Sequence, residues 1–247
     1  MEHYQLIIAY DGTEFSGFQR QKGFRTIQAE IESALKRTGW EGDTIQAAGR
    51  TDSGVHATGQ VVTFFHHWEH PKEELLTALN YYLPKSIAVQ SIKKVEEEFH
   101  PRYDACSREY QYAITICTVR QPHKERYMWR IEGELDWTLM QATASLFIGE
   151  HDFSQFGKPV KPDGSTIRKV FLSEWKQSSS SDYHYTIVAD AFLYHMVRRI
   201  VFVMMSTGKG RTDPQLVQKM LDGNQEKISP GIAPACGLTL TKVEYNE

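Results

Sequence analysis

The sequence predicts an α+β protein made of two ferredoxin-like halves. Strand-like and helix-like stretches follow one another in the order β-α-β-β-α-β over roughly the first hundred residues. The same order returns in the second half with one additional helix, although no sequence repeat is visible. At 40% hydrophobic and 12% aromatic residues, the 247-residue chain can bury a sizeable core. The expected architecture is a continuous, mostly antiparallel sheet with helices packed on one face and an active-site cleft between the halves. The halves divide as residues 1–104 and 105–247.

Each element has its own signal. Tyr4–Tyr10 is an almost wholly apolar strand. Thr26–Thr38 places Ile27, Ile31, Ala34 and Leu35 at helical spacing, and Gly39 ends it. Ile45–Ala48 is a short strand, and Gln60–His66 a stronger one rich in β-formers. Pro71 opens a helix through Leu75, Leu79 and Leu83 that Pro84 stops, and Ile87–Val95 closes the half as a strand. In the second half Glu109–Cys117 alternates as a strand, and Trp137–Ile148 is a helix ended by Gly149. Ile167–Trp175 and Tyr183–Phe192 form a hairpin around the serine run at 178–181. His195–Thr207 and Pro214–Leu221 are helices, and Leu238–Tyr245 is the last strand.

Charge and cysteine content narrow the function classes. The chain carries 28 basic and 31 acidic residues, a net charge of -3, so any anion-binding surface must be a local patch made by folding. Three scattered cysteines without a CxxC spacing suggest neither a zinc knuckle nor a disulfide framework, and they fit a reducing cytoplasm. The N-terminus lacks the basic and apolar segments of a signal peptide, and the apolar run Ile200–Met205 is far too short to cross a bilayer.

The densest chemistry lies in Gly49-Arg-Thr-Asp-Ser-Gly-Val-His-Ala57. Here Asp52 sits between Gly49 and Gly54, flanked by Arg50, two hydroxyls and His56. Glycines permit a tight turn and close approach of a ligand, so the carboxylate is expected to face outward. Read alone, such a loop is more often an ordinary turn, where Asp and Gly are favoured for local reasons. Arg198 and Arg199 open a helix that becomes apolar at once, and an arginine beside that much buried surface needs a counter-charge. His66, His67 and His70 cluster without a cysteine, a poor metal set. Ser53 and His56 are too close in sequence to argue for a hydrolase, and His151-Asp152 reads as loop bracing.

Six blocks carry a family resemblance. They are Tyr10-Asp-Gly-Thr-Glu-Phe-Ser-Gly-Phe-Gln-Arg20, the Gly49–Ala57 loop, Arg108-Glu-Tyr-Gln-Tyr112, Gly149-Glu-His-Asp-Phe-Ser-Gln-Phe156, Phe192-Leu-Tyr-His-Met-Val-Arg-Arg199 and Ala233-Pro-Ala-Cys-Gly-Leu238. In this order and spacing the chain resembles the tRNA pseudouridine synthase A family along nearly its whole length. One departure is Gly17-Phe18-Gln19, where the family commonly has Gly-Trp-Gln.

The resemblance implies an isomerase that converts uridine to pseudouridine at tRNA positions 38, 39 and 40 in the anticodon stem-loop. It also implies a homodimer that needs neither metal nor organic cofactor. By the match, Asp52 is the catalytic carboxylate and Arg198 its partner, with Arg199 the adjacent alternative. Tyr110 matches the stacking tyrosine, whose hydroxyl is also a candidate for removing the C5 proton, and Leu238 matches an apolar residue on the other side of the base. Arg50 is assigned to substrate phosphate or to shaping the flipped nucleotide. Gln19, Arg20 and Lys22, and a second set at Lys158, Lys161, Arg168 and Lys169, are candidates for backbone phosphate contacts. The rival readings are a catalytically inert or retargeted RNA-binding paralogue of the same fold, and a metal-dependent phosphate-ester hydrolase.

Overall fold

The computed structural model describes residues 1–159, 163–223 and 231–246. In chain order the elements are β1 (Glu2–Tyr10), α1 (Ile27–Arg37), β2 (Gln46–Ala47), β3 (His56–His66), α2 (Lys72–Tyr82), β4 (Ile87–Lys94), β5 (Ala105–Ile116), α3 (Pro122–Glu125), β6 (Trp129–Ile131), α4 (Trp137–Leu146), β7 (Gly149–Asp152), β8 (Ile167–Gln177), β9 (Asp182–Ala189), α5 (Met196–Gly208), α6 (Pro214–Leu221) and β10 (Leu238–Tyr245). They fall into two compact units: Met1–Cys106 with Thr239–Glu247, and Ser107–Leu238.

In the first unit the sheet runs β4-β1-β3, with β2 antiparallel to β3. That is the split β-α-β order expected of a ferredoxin-like half. The edge of β3 carries two partners. β2 pairs at Val62 and Thr63, and β10 pairs in parallel at His56 and Ala57. On one face Tyr4, Leu6, Ile8 and Tyr10 are buried, and Tyr4 and Leu6 lie opposite Phe64 and Val62. On the other face Ile7 and Phe65 remain partly exposed. Helix α1 is capped by Thr26, whose side chain accepts from the Ala29 amide, and it buries Ile27, Ile31, Ala34 and Leu35. Asn80 on α2 clamps β4 by accepting from the Val89 amide (2.7 Å) and donating to its carbonyl (2.9 Å).

Strand β3 begins four residues earlier than the alternation predicts. Gly59 weakens the strand pattern in sequence, yet the position needs it. A Cβ there would stand 2.1 Å from the Thr241 carbonyl oxygen on β10. The β1–β3 register also slips between Ile8 and Tyr10, which leaves Tyr10 opposite Ala57.

The second unit is a β5-β9-β8-β7 antiparallel ladder with β6 parallel to β5. Its β5-β9-β8 portion repeats the β1-β3-β2 pairing of the first unit. Helix α4 packs on β8 and against α5 and α6. Tyr112, Tyr185, Ile187, Met140, Ala144, Ile200, Val201 and Met204 are buried. Within that core the Ser173 hydroxyl donates to the Ala144 carbonyl (2.6 Å) and also bonds the Tyr185 hydroxyl (2.7 Å). Burial raises the Tyr185 phenol well above its usual value. Three elements were not expected: α3, β6 and β7. The first two are too short for periodicity to register, and β7 is an edge strand of polar composition, Gly-Glu-His-Asp. Among the described residues no helix is long and apolar enough to cross a membrane.

Candidate active site

The loop at 49–55 is held from several directions inside the first unit. The Tyr10 and Thr51 hydroxyls share a buried hydrogen bond of 2.8 Å. Burial pushes the Tyr10 phenol up to about 12 against the opposing hydrogen bonds of Thr51 and Gln60, so it stays protonated at neutral pH. The Gln60 amide nitrogen donates to the Gly49 carbonyl (3.0 Å). The Phe18 amide donates to the Thr51 carbonyl (3.0 Å), while Ser53 Oγ (3.1 Å) and the Gly54 amide (3.4 Å) both donate to the Phe15 carbonyl. The turn closes when the Val55 amide donates to the Asp52 carbonyl (3.2 Å), with Gly54 at φ 77°. Asp52 is left half-buried and Arg50 exposed.

Two glycines let the 11–18 segment wrap this loop. A Cβ on Gly12 would lie 1.9 Å from the Val55 carbonyl oxygen. Gly17, at φ 87°, would place a Cβ 2.9 Å from the Thr51 oxygen and 3.3 Å from the Asp52 carbonyl carbon. His56, buried behind the loop, accepts the Gly12 amide on Nδ1 (3.1 Å), and Asp11 Oδ1 lies 3.3 Å from the same nitrogen. Ser53 Oγ and the His56 ring are thus each engaged with the wrapping segment and form no nucleophile–base pair.

In the second unit Tyr110 sits half-buried on β5 opposite Ile187, its ring meeting Phe192 edge-on at 5.1 Å. Arg198 lies in the first turn of α5, half-buried. Its Nε donates to the Ala233 carbonyl (2.8 Å), and the Ala233 amide donates back to the Arg198 carbonyl (3.1 Å). This reciprocal pair fixes the guanidinium plane. Leu238 is buried at the start of β10, just after the turn at Ala235–Gly237. Gly237 lies against the Tyr112 ring, where a Cβ would stand 2.7 Å from two ring carbons, and the Tyr112 hydroxyl donates to the Pro234 carbonyl (2.8 Å). Burial drives the Tyr112 phenol well above its ordinary value.

Some cations expected on the RNA surface are otherwise engaged. Arg20 pairs at 2.7 Å with Glu32, a buried carboxylate that also accepts from Gln28 and the Ile45 amide. An acid buried to that degree needs its cation, so Arg20, though its side chain is half exposed, is the counter-ion of Glu32. The Arg168 guanidinium is half-buried and donates to the Ser165 carbonyl. Gln19, Lys22, Lys158 and Lys169 are exposed, and Lys161 lies outside the described residues. His66 Nε2 bonds the Thr38 hydroxyl (3.2 Å), and burial lowers its pKa. His151 braces the turn before β7 through the Ile148 carbonyl (3.0 Å), and Asp152 accepts the Ser154 amide.

Sequence reasoning placed the loop but missed what pins it: Tyr10, Gln60 and His56. The available signal was Gln60 directly before the apolar pair Val61–Val62, where an uncompensated polar group is costly, and His56 directly after the glycine-flanked turn.

The family model and the curated relatives agree on one family. The tRNA pseudouridine synthase family model matches residues 6–104 and 143–246. The chain is 35% identical to the tRNA pseudouridine synthase A of Citrifermentans bemidjiense, over 100% of this chain and 99% of that one. It is 36% identical to the protein of that name from Brevibacillus brevis, over 99% and 100%. Among solved structures, a chain of the archaeal box H/ACA sRNP Nop10-Cbf5 complex is similar at TM-score 0.42 and 12% identity, covering 83% of this chain and 43% of that one. The chain belongs to the tRNA pseudouridine synthase A family.

Proposed function

We propose that this enzyme isomerises uridine to pseudouridine in the anticodon stem-loop of tRNA, at positions 38, 39 and 40, as a cytoplasmic homodimer. In that reaction the bond from ribose C1′ to N1 of the base breaks. The uracil turns, C5 bonds to C1′, the C5 proton is lost and N1 gains one. The change is an isomerisation with no net transfer of electrons or phosphate, so no carrier enters the balance.

Asp52 is the carboxylate that starts it, as a nucleophile at C1′ or as a base for elimination. It acts in either role as a carboxylate, and Arg198 is the cation assigned to partner it. Tyr110, buttressed by Phe192, stacks on the extruded base, and Leu238 lines its other side. Arg50, exposed two residues before Asp52, is assigned to the substrate backbone. The observation that carries the reading is the construction of the Asp52 loop. Hydrogen bonds and two close-packed glycines hold the backbone around half-buried Asp52 in one conformation, within a segment that the family model matches.

The test is tritium release from 5-tritiated uridine in tRNA transcripts. Wild-type enzyme releases tritium, and Asp52→Asn releases none while its Kd for tRNA stays within about threefold, because an amide neither attacks C1′ nor takes a proton. Near-normal release from the variant overturns the assignment. Binding without release by the wild type would instead leave an inert RNA-binding module.

A further inference from the structure

We propose that His56 is a positioning residue for the Asp52 carboxylate, acting through the Gly12 amide; this rests on Asp52 being the catalytic group. Nδ1 of His56 accepts the Gly12 N–H at 3.1 Å. The ring is buried, and no solvent competes for that acceptor. Asp11 Oδ1, though 3.3 Å from the same nitrogen, accepts from the Thr13 amide (3.0 Å) and hydroxyl (2.6 Å). That turn directs the Gly12 amide at the imidazole.

From Gly12 the link to Asp52 is short and stiff. The Gly12 carbonyl accepts the Phe15 amide (3.0 Å). The Phe15 carbonyl in turn receives Ser53 Oγ and the Gly54 amide, the two residues after Asp52. Gly12 also lies directly against the Val55 carbonyl, and Val55 closes the Asp52 turn. His56 follows Val55 and begins β3, so its backbone is set by the strand while its side chain sets the start of the wrapping segment. Without the Nδ1 acceptor, a buried amide loses its partner and the segment that shapes the Asp52 turn is released at its origin.

An asparagine places its Oδ1 acceptor at the same number of bonds from Cβ as Nδ1, whereas a glutamine carries its acceptor one bond further out. The full-length enzyme is therefore assayed as His56→Asn, His56→Gln and His56→Leu, beside Asp52→Asn, for kcat and KM on 5-tritiated tRNA. His56→Asn keeps kcat within about threefold, and Gln and Leu lose about 30-fold or more with KM within about twofold, since a carboxylate displaced by up to 1 Å costs rates of that order. Hydrogen exchange of the peptide spanning Gly12 is protected in wild type and His56→Asn and faster in His56→Gln, a readout that persists if the Leu variant does not fold.

Wild-type kcat in all three variants overturns the proposal. So does an Asn variant as impaired as Gln, which would make ring volume the only requirement, or a rise in KM at constant kcat. Loss of turnover in Asp52→Asn with normal His56→Gln rejects His56 alone, while a turning-over Asp52→Asn rejects the Asp52 assignment and this inference with it.

Discussion

Gly17→Ala separates the two things the wrapping glycines do. At φ 87° an alanine is strained, and its Cβ would stand 2.9 Å from the Thr51 carbonyl oxygen and 3.3 Å from Ser53 N and the Asp52 carbonyl carbon. Gly23 supplies the control. Its φ is 82°, close to that of Gly17, but a Cβ there meets nothing within 4 Å. Gly23→Ala therefore measures the backbone term alone, about 1 kcal/mol. Gly17→Ala adds a contact with backbone that cannot swing aside, because the Thr51 carbonyl is held by the Phe18 amide. Opening such a contact by a few tenths of an ångström brings the total to about 2–3 kcal/mol. The same displacement moves the Asp52 turn, and a fraction of an ångström lowers kcat by about 3–10-fold. Urea unfolding gives the stabilities and tritium release at saturating tRNA gives kcat. The reasoning fails if Gly17→Ala loses no more stability than Gly23→Ala and turns over at the wild-type rate.

Three further substitutions have defined outcomes. Arg198→Ala lowers kcat for tritium release by about 10-fold or more if it removes the cation proposed to serve Asp52; a wild-type kcat rejects that pairing. Tyr110→Ala weakens tRNA binding by about 1–3 kcal/mol, measured by filter binding, as expected for loss of a base-stacking ring; unchanged affinity removes that role. Asp182→Asn tests the second unit by pH. Partial burial pushes the Asp182 carboxyl up, but hydrogen bonds from Lys124, Thr115 and Ser179 and the Lys124 charge outweigh it and hold the pKa at about 2, below the ordinary 3.8. A folded-state pKa below the unfolded value stabilises above pH 3.8, and that contribution is lost as pH falls through 2. The variant is therefore less stable by about 1–2 kcal/mol at pH 7, allowing for solvent screening, and its deficit closes between pH 4 and 2 in urea titrations; a constant deficit refutes the linkage.

How far each feature was legible in the sequence depends on whether its cause is local. Helix α6 starts at Pro214 and β10 runs Leu238–Tyr245, both as read, because a proline at the first helical position and a run of alternating residues act within a few positions. The start of β3 was hidden because Gly59 answers to Thr241, which is 182 residues away in the chain. Strand β7 was hidden because an edge strand needs no apolar alternation. The pairing of Arg20 with Glu32 was hidden for a similar reason. A free basic residue in a loop and the counter-ion of a buried acid are identical in one dimension.

The same distinction runs through the site. Asp52 stood out because turn glycines mark their own neighbourhood, whereas its supports are spread over β1, the 11–18 segment and β3. In the catalytic role proposed for it, Asp52 would gain little from the residues beside it in sequence, since two flanking glycines loosen a turn as readily as they shape it. Its placement has to come from groups that tertiary structure delivers. Here those groups are the Tyr10 hydroxyl, the Gln60 amide and the His56 imidazole, all buried and hydrogen-bonded to the loop or to the segment around it. Polar side chains in the interior of β1 and β3 are thermodynamically expensive for a strand whose only task is to form a sheet. Their cost is offset by the order they impose on Gly49, Thr51 and Gly12, so substitutions behind the loop should lower kcat well before they unfold the protein.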